Sequence, residues 1–463
     1  MGAVEQTGIS IQLLNSMNPF INRRVFFQIA GTGVAGCFVS PFDLFARTAS
    51  PYPPQAPQVT LLNTAKNVIF ILLAGAPSQI DTFDLKVGPW TPADFRATTI
   101  NGIDFPEGLM PAMASQLNRI AIVRSCQSSA LVHALLQTWT QVARSPASAT
   151  GKIAPNIGSV VALEFEPKRA ADQRLPGFVA LNSTGGLVKQ GYLPGRYSPF
   201  DVVAGNNGLA NITNPDGDAA FAEQYSVLQA LEAGGIRRSD FDDMRDFYSS
   251  AREIMNDPGV NAAFRTTGAE RVRYGNNTFG TSCIVARNLV NANLGTRYIQ
   301  ISLGGWDNHQ NIYTPNAGIY PPARQLDAGL ANLISDLATM PGANGRTRLD
   351  ETLIVVKGEF GRTVGSLTDL KGRDHYFVHF ALFAGGGVRG GQVLGETGAD
   401  GQHVELAGWS EDRPVLAEDI AATIYSALGI DYTTVRRDDP LGRGFEYVPS
   451  TNDWLAYPIR ELF

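Results

Sequence analysis

The chain has 463 residues, 44% of them hydrophobic and 17% charged, with 48 glycines and a net charge of −6. That length suggests roughly three domains, or one large α/β enzyme with insertions, and the low charge marks a loop-rich globular protein. Without a long basic block, nucleic acid is excluded as the main partner, because phosphate binding needs clustered Lys and Arg; three cysteines without a CxxC argue against a disulfide framework or a zinc knuckle.

In chain order, the first feature is "NRRVFFQIAGTGVAGCFVSP", from Asn22. Arg23 and Arg24 precede a short apolar segment, as in a bacterial twin-arginine export signal. The apolar part, about Phe26 to Val39, falls short of the ~20 residues that span a bilayer. Val34-Ala35-Gly36-Cys37 also has the form of a lipoprotein processing site, so the only membrane link expected is a lipid on Cys37. Residues 1–50 are therefore read as an export signal and 51–66, with "SPYPPQAPQ", as a Pro-rich linker.

From residue 67 onward, continuous apolar runs predict strands buried on both faces: "NVIFILLA" from Asn67, "RIAIVRS" from Arg119, "GFVAL" from Gly177, "RYIQISLGG" from Arg297, "ETLIVVKG" from Glu351 and "FVHFALFAG" from Phe377. Leu326, Leu330, Leu333, Ile334 and Leu337 repeat at helical spacing, and Leu416–Ile430 predicts a late helix. Residues 201–276 lack buried-strand runs and are read as a helical insertion. The expectation is an α/β protein: a three-layer αβα sandwich with a mostly parallel central sheet. "AGGGVRGG" (Ala384–Gly391) follows a strand with no helix behind it and predicts a tight turn.

In open α/β sheets, ligands bind beyond the carboxyl ends of the strands. The chain's chemistry gathers there. Asp81 and Asp84 follow the first run, and Ser125, Cys126, Ser128, Ser129 and His133 the second. Asp307 and His309 follow "YIQISL", Glu359 and Arg362 follow "TLIVV", and Asp374, His375 and His379 come at the start of the last run. Carboxylates mixed with imidazoles suit a divalent metal. A nearby hydroxyl suits a nucleophile, and an arginine suits an oxyanion. Singly, each is more often a cap, a turn residue or a satisfied core histidine.

Six segments, "LLAGAPSQIDTFDLK", "YGNNTFGTSCIVARNLV", "GGWDNH", "TLIVVKGEFGRT", "GRDHYFVHFALFAGGGVRGGQVLGET" and "EDIAATIYSALGID", resemble in order the bacterial family called domain of unknown function 1501. The resemblance runs from about Val68 to Gly444 and implies an alkaline phosphatase-like fold, in the superfamily that includes the sulfatases. It further implies metal ligands at Asp81, Asp307, His309, Glu359 and His375. Glu359-Phe360 stands where the superfamily has an Asp-His pair, so one imidazole is missing. His133 resembles a histidine beyond the nucleophile of nucleotide pyrophosphatase relatives, which points to Ser128 or Ser129. Cys126 faintly echoes the sulfatase cysteine that becomes formylglycine, but Ala130 replaces that motif's arginine. Arg362 is placed to hold a substrate oxyanion or to pair with Glu359. Val364 departs from the Pro of many members.

The expected function is an exported, metal-dependent hydrolase of small anionic phosphate or sulfate esters, periplasmic or at the cell surface. Zinc, manganese and calcium are all open as the ion, and serine or water as the nucleophile. The alternative is a non-catalytic binding or scaffold protein on the same fold.

Overall fold

A computed structural model describes residues 59–463 except 184, 211, 213–214, 234–243, 246–247, 250, 253, 256 and 450–454. The expected export signal and Cys37 lie outside the described residues.

Eight strands form the central sheet: β1 (Asn67–Leu73), β2 (Ile120–Gln127), β3 (Phe178–Leu181), β4 (Phe200–Val202), β5 (Tyr298–Leu303), β6 (Thr352–Lys357), β7 (Val378–Ala384) and β8 (Gln392–Leu394). Their spatial order is β8-β2-β7-β6-β1-β5-β3-β4. β1 pairs in parallel with both β5 and β6, so Ile71 lies beside Ile301 and Val356. All seven residues of β1 are buried, as expected of a strand covered on both faces.

Alternate residues of β1 feed two cores. Ile69, Ile71 and Leu73 face the side closed by α3 (Thr278–Ala292) and α4 (Tyr320–Thr339). The periodic leucines 326, 330, 333 and 337 of α4 are all in that core. Val68, Phe70 and Leu72 face the side closed by α2 (Ile157–Phe165) and α5 (Ala417–Ala427). The result is a mixed α/β sheet between helical layers, as the apolar runs implied.

β7 alone runs antiparallel to its sheet neighbours β2 and β6. Its beginning, not its end, therefore lies at the edge where the parallel strands finish. This places His375, just before β7, beside residues that follow β1, β2, β5 and β6. The turn after β7 contains Gly385, Gly386 and Gly387, all at positive φ (65°, 57° and 90°).

The stretch read as a helical insertion carries helices at Gly217–Ala233, Pro258–Phe264 and Gly268–Arg273. Its first residues, Asp201 and Val202, belong instead to edge strand β4. That strand is short and half-exposed, so it lacks the apolar run that reveals a central strand.

Candidate metal centre

Among the described residues, His133, Asp307, His309 and His375 bring one ligand atom each to within 4.8 Å of one another. Asp307 and His309 leave β5 through Gly304, Gly305 and Trp306; the tryptophan is buried in the core and anchors the turn. His133 begins α1 (His133–Val142), directly after the loop that leaves β2. His375 lies in a short antiparallel ribbon, opposite Arg362.

Two glycines let these loops meet. Gly75, at φ +107°, packs so closely that a Cβ there would fall 2.7 Å from the Asp307 amide nitrogen. A Cβ on Gly372 would fall 2.0 Å from the carbonyl carbon of His309. Any larger side chain at either position must push a ligand-bearing loop away.

Each imidazole is oriented from behind. His133 Nδ1 lies 2.6 Å from Glu359 Oε1, His309 Nδ1 lies 2.7 Å from Asp374 Oδ1, and His375 Nδ1 lies 2.8 Å from the Leu131 carbonyl. Carboxylates and carbonyls only accept, so each Nδ1 carries the proton. In the neutral rings every Nε2 then presents a lone pair to the centre. His309 Nε2 and His375 Nε2 face each other at 3.0 Å. Asp307 Oδ1 lies 3.2, 3.0 and 3.7 Å from the Nε2 atoms of His133, His309 and His375. His133 Nε2 is buried and has no hydrogen-bond partner among the described residues. Three lone pairs and a carboxylate at this spacing repel one another unless positive charge lies among them: a metal ion, a proton on one ring or, in part, Arg362 Nη1, 3.4 Å from His309 Nε2. Donors bound to one ion at ~2.0–2.2 Å would stand ~3.0–3.5 Å apart, a range that the 3.0, 3.0 and 3.2 Å separations meet and the 3.7 Å one slightly exceeds.

The electrostatics differ among the ligands. Burial pushes the Asp307 carboxyl up, but the hydrogen bond and charge of Arg362 outweigh it and hold the group below its ordinary value. The hydrogen bond to Glu359 raises His133 above its ordinary value against the effect of burial. Burial lowers His375, helped by Arg362 and the two neighbouring imidazoles, against the opposing hydrogen bond to the Leu131 carbonyl.

The other expected site residues lie differently. Asp81 is not among the four. It is buried in an ion pair with Arg373, Oδ2 to Nε at 2.7 Å, and accepts from the Tyr313 hydroxyl at 2.7 Å. Glu359 stands behind His133; its Oε1 also accepts from the Gly75 amide at 2.9 Å and from Gln137 at 2.8 Å. Arg362 pairs with Asp307, Nη2 to Oδ1 at 2.6 Å, and not with Glu359. Its guanidinium also donates to the carbonyls of Ala76, Gly75 and Arg373. These bonds take four of its five N–H donors, and Nη1 also lies 3.4 Å from His309 Nε2; only 1% exposed, it braces the loops rather than facing open space.

Ser128 is buried and its Oγ donates to the Phe377 carbonyl at 3.2 Å. Ser128 and Ser129 line a cavity whose wall includes none of the four clustered residues. Cys126 is fully buried in β2, beside His379, and burial pushes its thiol up to about 12. A thiol so placed is inert, which agrees with the missing arginine of the formylglycine motif.

Sequence reasoning gave His133 a role beside a nucleophile, whereas the structure places it within the cluster. It gave Asp374 no role, and it passed over Arg373 and the Leu131 carbonyl. Asp374 had a signal, because it precedes His375 in "GRDH" and every inward-facing imidazole needs an acceptor on its other nitrogen. The carbonyl had none.

Among solved structures, fold likenesses include Ps i-CgsB in complex with k-i-k-neocarrahexaose, at 13% identity over 79% of this chain and 72% of that one, TM-score 0.39. A sulfatase from Pseudoalteromonas sp. is 14% identical over 80% of this chain and 68% of that one, TM-score 0.37. A protein of the alkaline phosphatase superfamily from Vibrio parahaemolyticus is 11% identical over 80% and 68%, TM-score 0.34. These likenesses are weak. No curated protein matches the chain. The model of one family, Protein of unknown function (DUF1501), matches residues 65–449, and the chain belongs to that family.

Proposed function

We propose that the chain is a hydrolase of phosphate or sulfate esters that works with one divalent metal ion held by His133, Asp307, His309 and His375. The observation that carries this reading is the convergence of three Nε2 lone pairs on Asp307 Oδ1, each imidazole tied back through Nδ1. A divalent ion there would supply Lewis acidity toward an ester oxygen and toward water. Three nitrogen donors argue against calcium, which takes oxygen ligands. They suit zinc expanded to five ligands, or manganese or iron, whose higher coordination leaves positions for ester and water.

The chain's own residues have defined tasks. Glu359 and Asp374 hold the His133 and His309 rings in the tautomer that donates inward. Arg362 keeps Asp307 ionised while bracing the loops that carry it. Water is the nucleophile, because Ser128 is committed to the Phe377 carbonyl and Ser129 faces a separate cavity. We further propose export by the twin-arginine segment at Arg23-Arg24; among the described residues no helix is long and apolar enough to cross a membrane.

Metal analysis of purified protein is expected to find close to one transition-metal ion per chain, lost in His309→Ala and His133→Ala. Metal-free protein that refuses added zinc, manganese and iron would end the proposal. A second reading, a non-catalytic binding protein, draws on one feature: Arg362 is buried and directed at Asp307, at three loop carbonyls and, at 3.4 Å, at His309 Nε2, rather than at open space for an oxyanion. It wins if metal binds stoichiometrically but no aryl phosphate, phosphodiester or sulfate is turned over.

A further inference from the structure

Three polar side chains of α1, His133, Gln137 and Thr140, are spaced so that they line up along one face of the helix. All three meet the end of β6 or the residues just after it. His133 Nδ1 and Gln137 Nε2 both reach Glu359 Oε1, at 2.6 and 2.8 Å. Two positions earlier, Lys357 Nζ donates to Thr140 Oγ1 at 3.1 Å. Helix and strand are thus joined by a seam of three polar rungs, with the metal ligand His133 at one end and Lys357 at the other.

Lys357 is the unusual rung. It is the last residue of β6 and only 2% exposed. Leu353 and Val355, at alternate positions before it, lie in the core closed by α2 and α5, as does Ala381, its neighbour on β7. Its side chain therefore enters apolar surroundings. Among the described residues it forms no ion pair with a carboxylate, and its amine donates to Thr140. An amine buried this way costs stability that an apolar residue of similar length would not. What it adds is direction. Apolar packing is non-directional, so α1 can turn or slide on the sheet and bury much the same area; a hydrogen bond holds at one placement only. A slip of one residue along α1 shifts His133 by ~1.5 Å, against the ~0.2 Å that metal–ligand distances tolerate. Trp139 and Gln141, beside Thr140, tie α1 to α5 and β5 through Glu418 at 2.7 Å and Gln300 at 2.9 Å, which keeps the helix docked when the rung is removed.

We propose that Lys357 is a positioning residue for the metal centre: through Thr140 it fixes the rotation and axial height of α1, and so delivers His133 Nε2 to the other three ligands. The inference rests on the metal reading above, and adds to it a buried residue that touches neither ion nor substrate.

The test replaces both partners of the rung, Lys357→Met together with Thr140→Val, because exchanging both for apolar groups of like shape leaves no orphaned polar atom. The Tm of the metal-free double variant is expected to stay level or rise. Its zinc affinity, read by chelator competition, is expected to fall by about tenfold or more, as for other groups that orient a ligand. Thr140→Ser, which keeps the hydroxyl, should bind zinc as the unaltered protein does. Unchanged affinity in the double variant overturns the proposal. So does weakened affinity in Thr140→Ser, or a loss in the double variant that comes with a lower metal-free Tm, which would mark Lys357 as structural only. If the unaltered protein binds no zinc, manganese or iron, the metal reading fails by itself, and the crystal structure of the double variant then decides the seam. His133 Nδ1 moved out of hydrogen-bond reach of Glu359 upholds it; the contact kept at 2.6 Å overturns it.

Discussion

Asp81→Asn separates a structural carboxylate from a metal ligand. Asp81 and Arg373 are both essentially unexposed, 2.7 Å apart. Asparagine keeps the shape and removes the charge. The guanidinium keeps its bonds to the Thr363 and Gly365 carbonyls, both 2.9 Å, but loses its counter-ion. Breaking one side of a buried pair costs about 3–5 kcal/mol. Unfolding entropy near the midpoint is about 2.1 cal/mol/K per residue, or about 0.8 kcal/mol/K for a unit of roughly 400 residues. Tm should therefore fall by about 4–6 °C. Metal content should remain that of the unaltered protein, since Asp81 is outside the cluster. Scanning calorimetry and metal analysis on the same preparation make the check. Loss of the ion with Tm unchanged would show that Asp81 is a ligand and that the ion pair with Arg373 is not its role.

Three further outcomes are expected. Glu359→Gln removes the carboxylate behind His133 and should weaken metal affinity by about 10–100-fold in chelator competition, with all four ligand side chains intact. Because the hydrogen bond to Glu359 raises the folded pKa of His133 above its ordinary value, protonation competes with metal up to a higher pH than for a free imidazole. Affinity should thus fall as pH drops through that raised value, with more protons released per ion at about pH 6.5 than at about pH 8, measured by calorimetry in buffers of different ionisation enthalpy. In the absence of metal the sign for stability reverses: the His133–Glu359 contribution is full below the unfolded pKa of about 6.5 and is lost as pH rises through the folded value. Gly372→Ala should lower metal occupancy while the protein stays folded, because its Cβ would meet the His309 backbone at 2.0 Å; occupancy at the unaltered level would refute that packing argument.

Much of the fold was written in local pattern. Runs such as "NVIFILL" are apolar at every position, so they suit only a strand covered on both faces, and the leucines of α4 repeat at the helical period. That pattern also placed Asp307, His309, Glu359 and His375 at one edge of the sheet, since strand ends can be counted along the chain. Which of those side chains meet was not countable. Asp81 and Asp307 look alike in sequence, each an aspartate shortly after a buried strand. Arg373, nearly three hundred positions away, takes the first into a buried ion pair, while Arg362 holds the second half-exposed beside three imidazoles. His133 joins them because β7 runs against its neighbours and brings His375 against the Leu131 carbonyl. Periodicity is a property of neighbours along the chain and survives any arrangement of the rest. Charge pairing and ligand convergence depend on distances of a few ångströms between distant segments, and only the packed tertiary structure sets those.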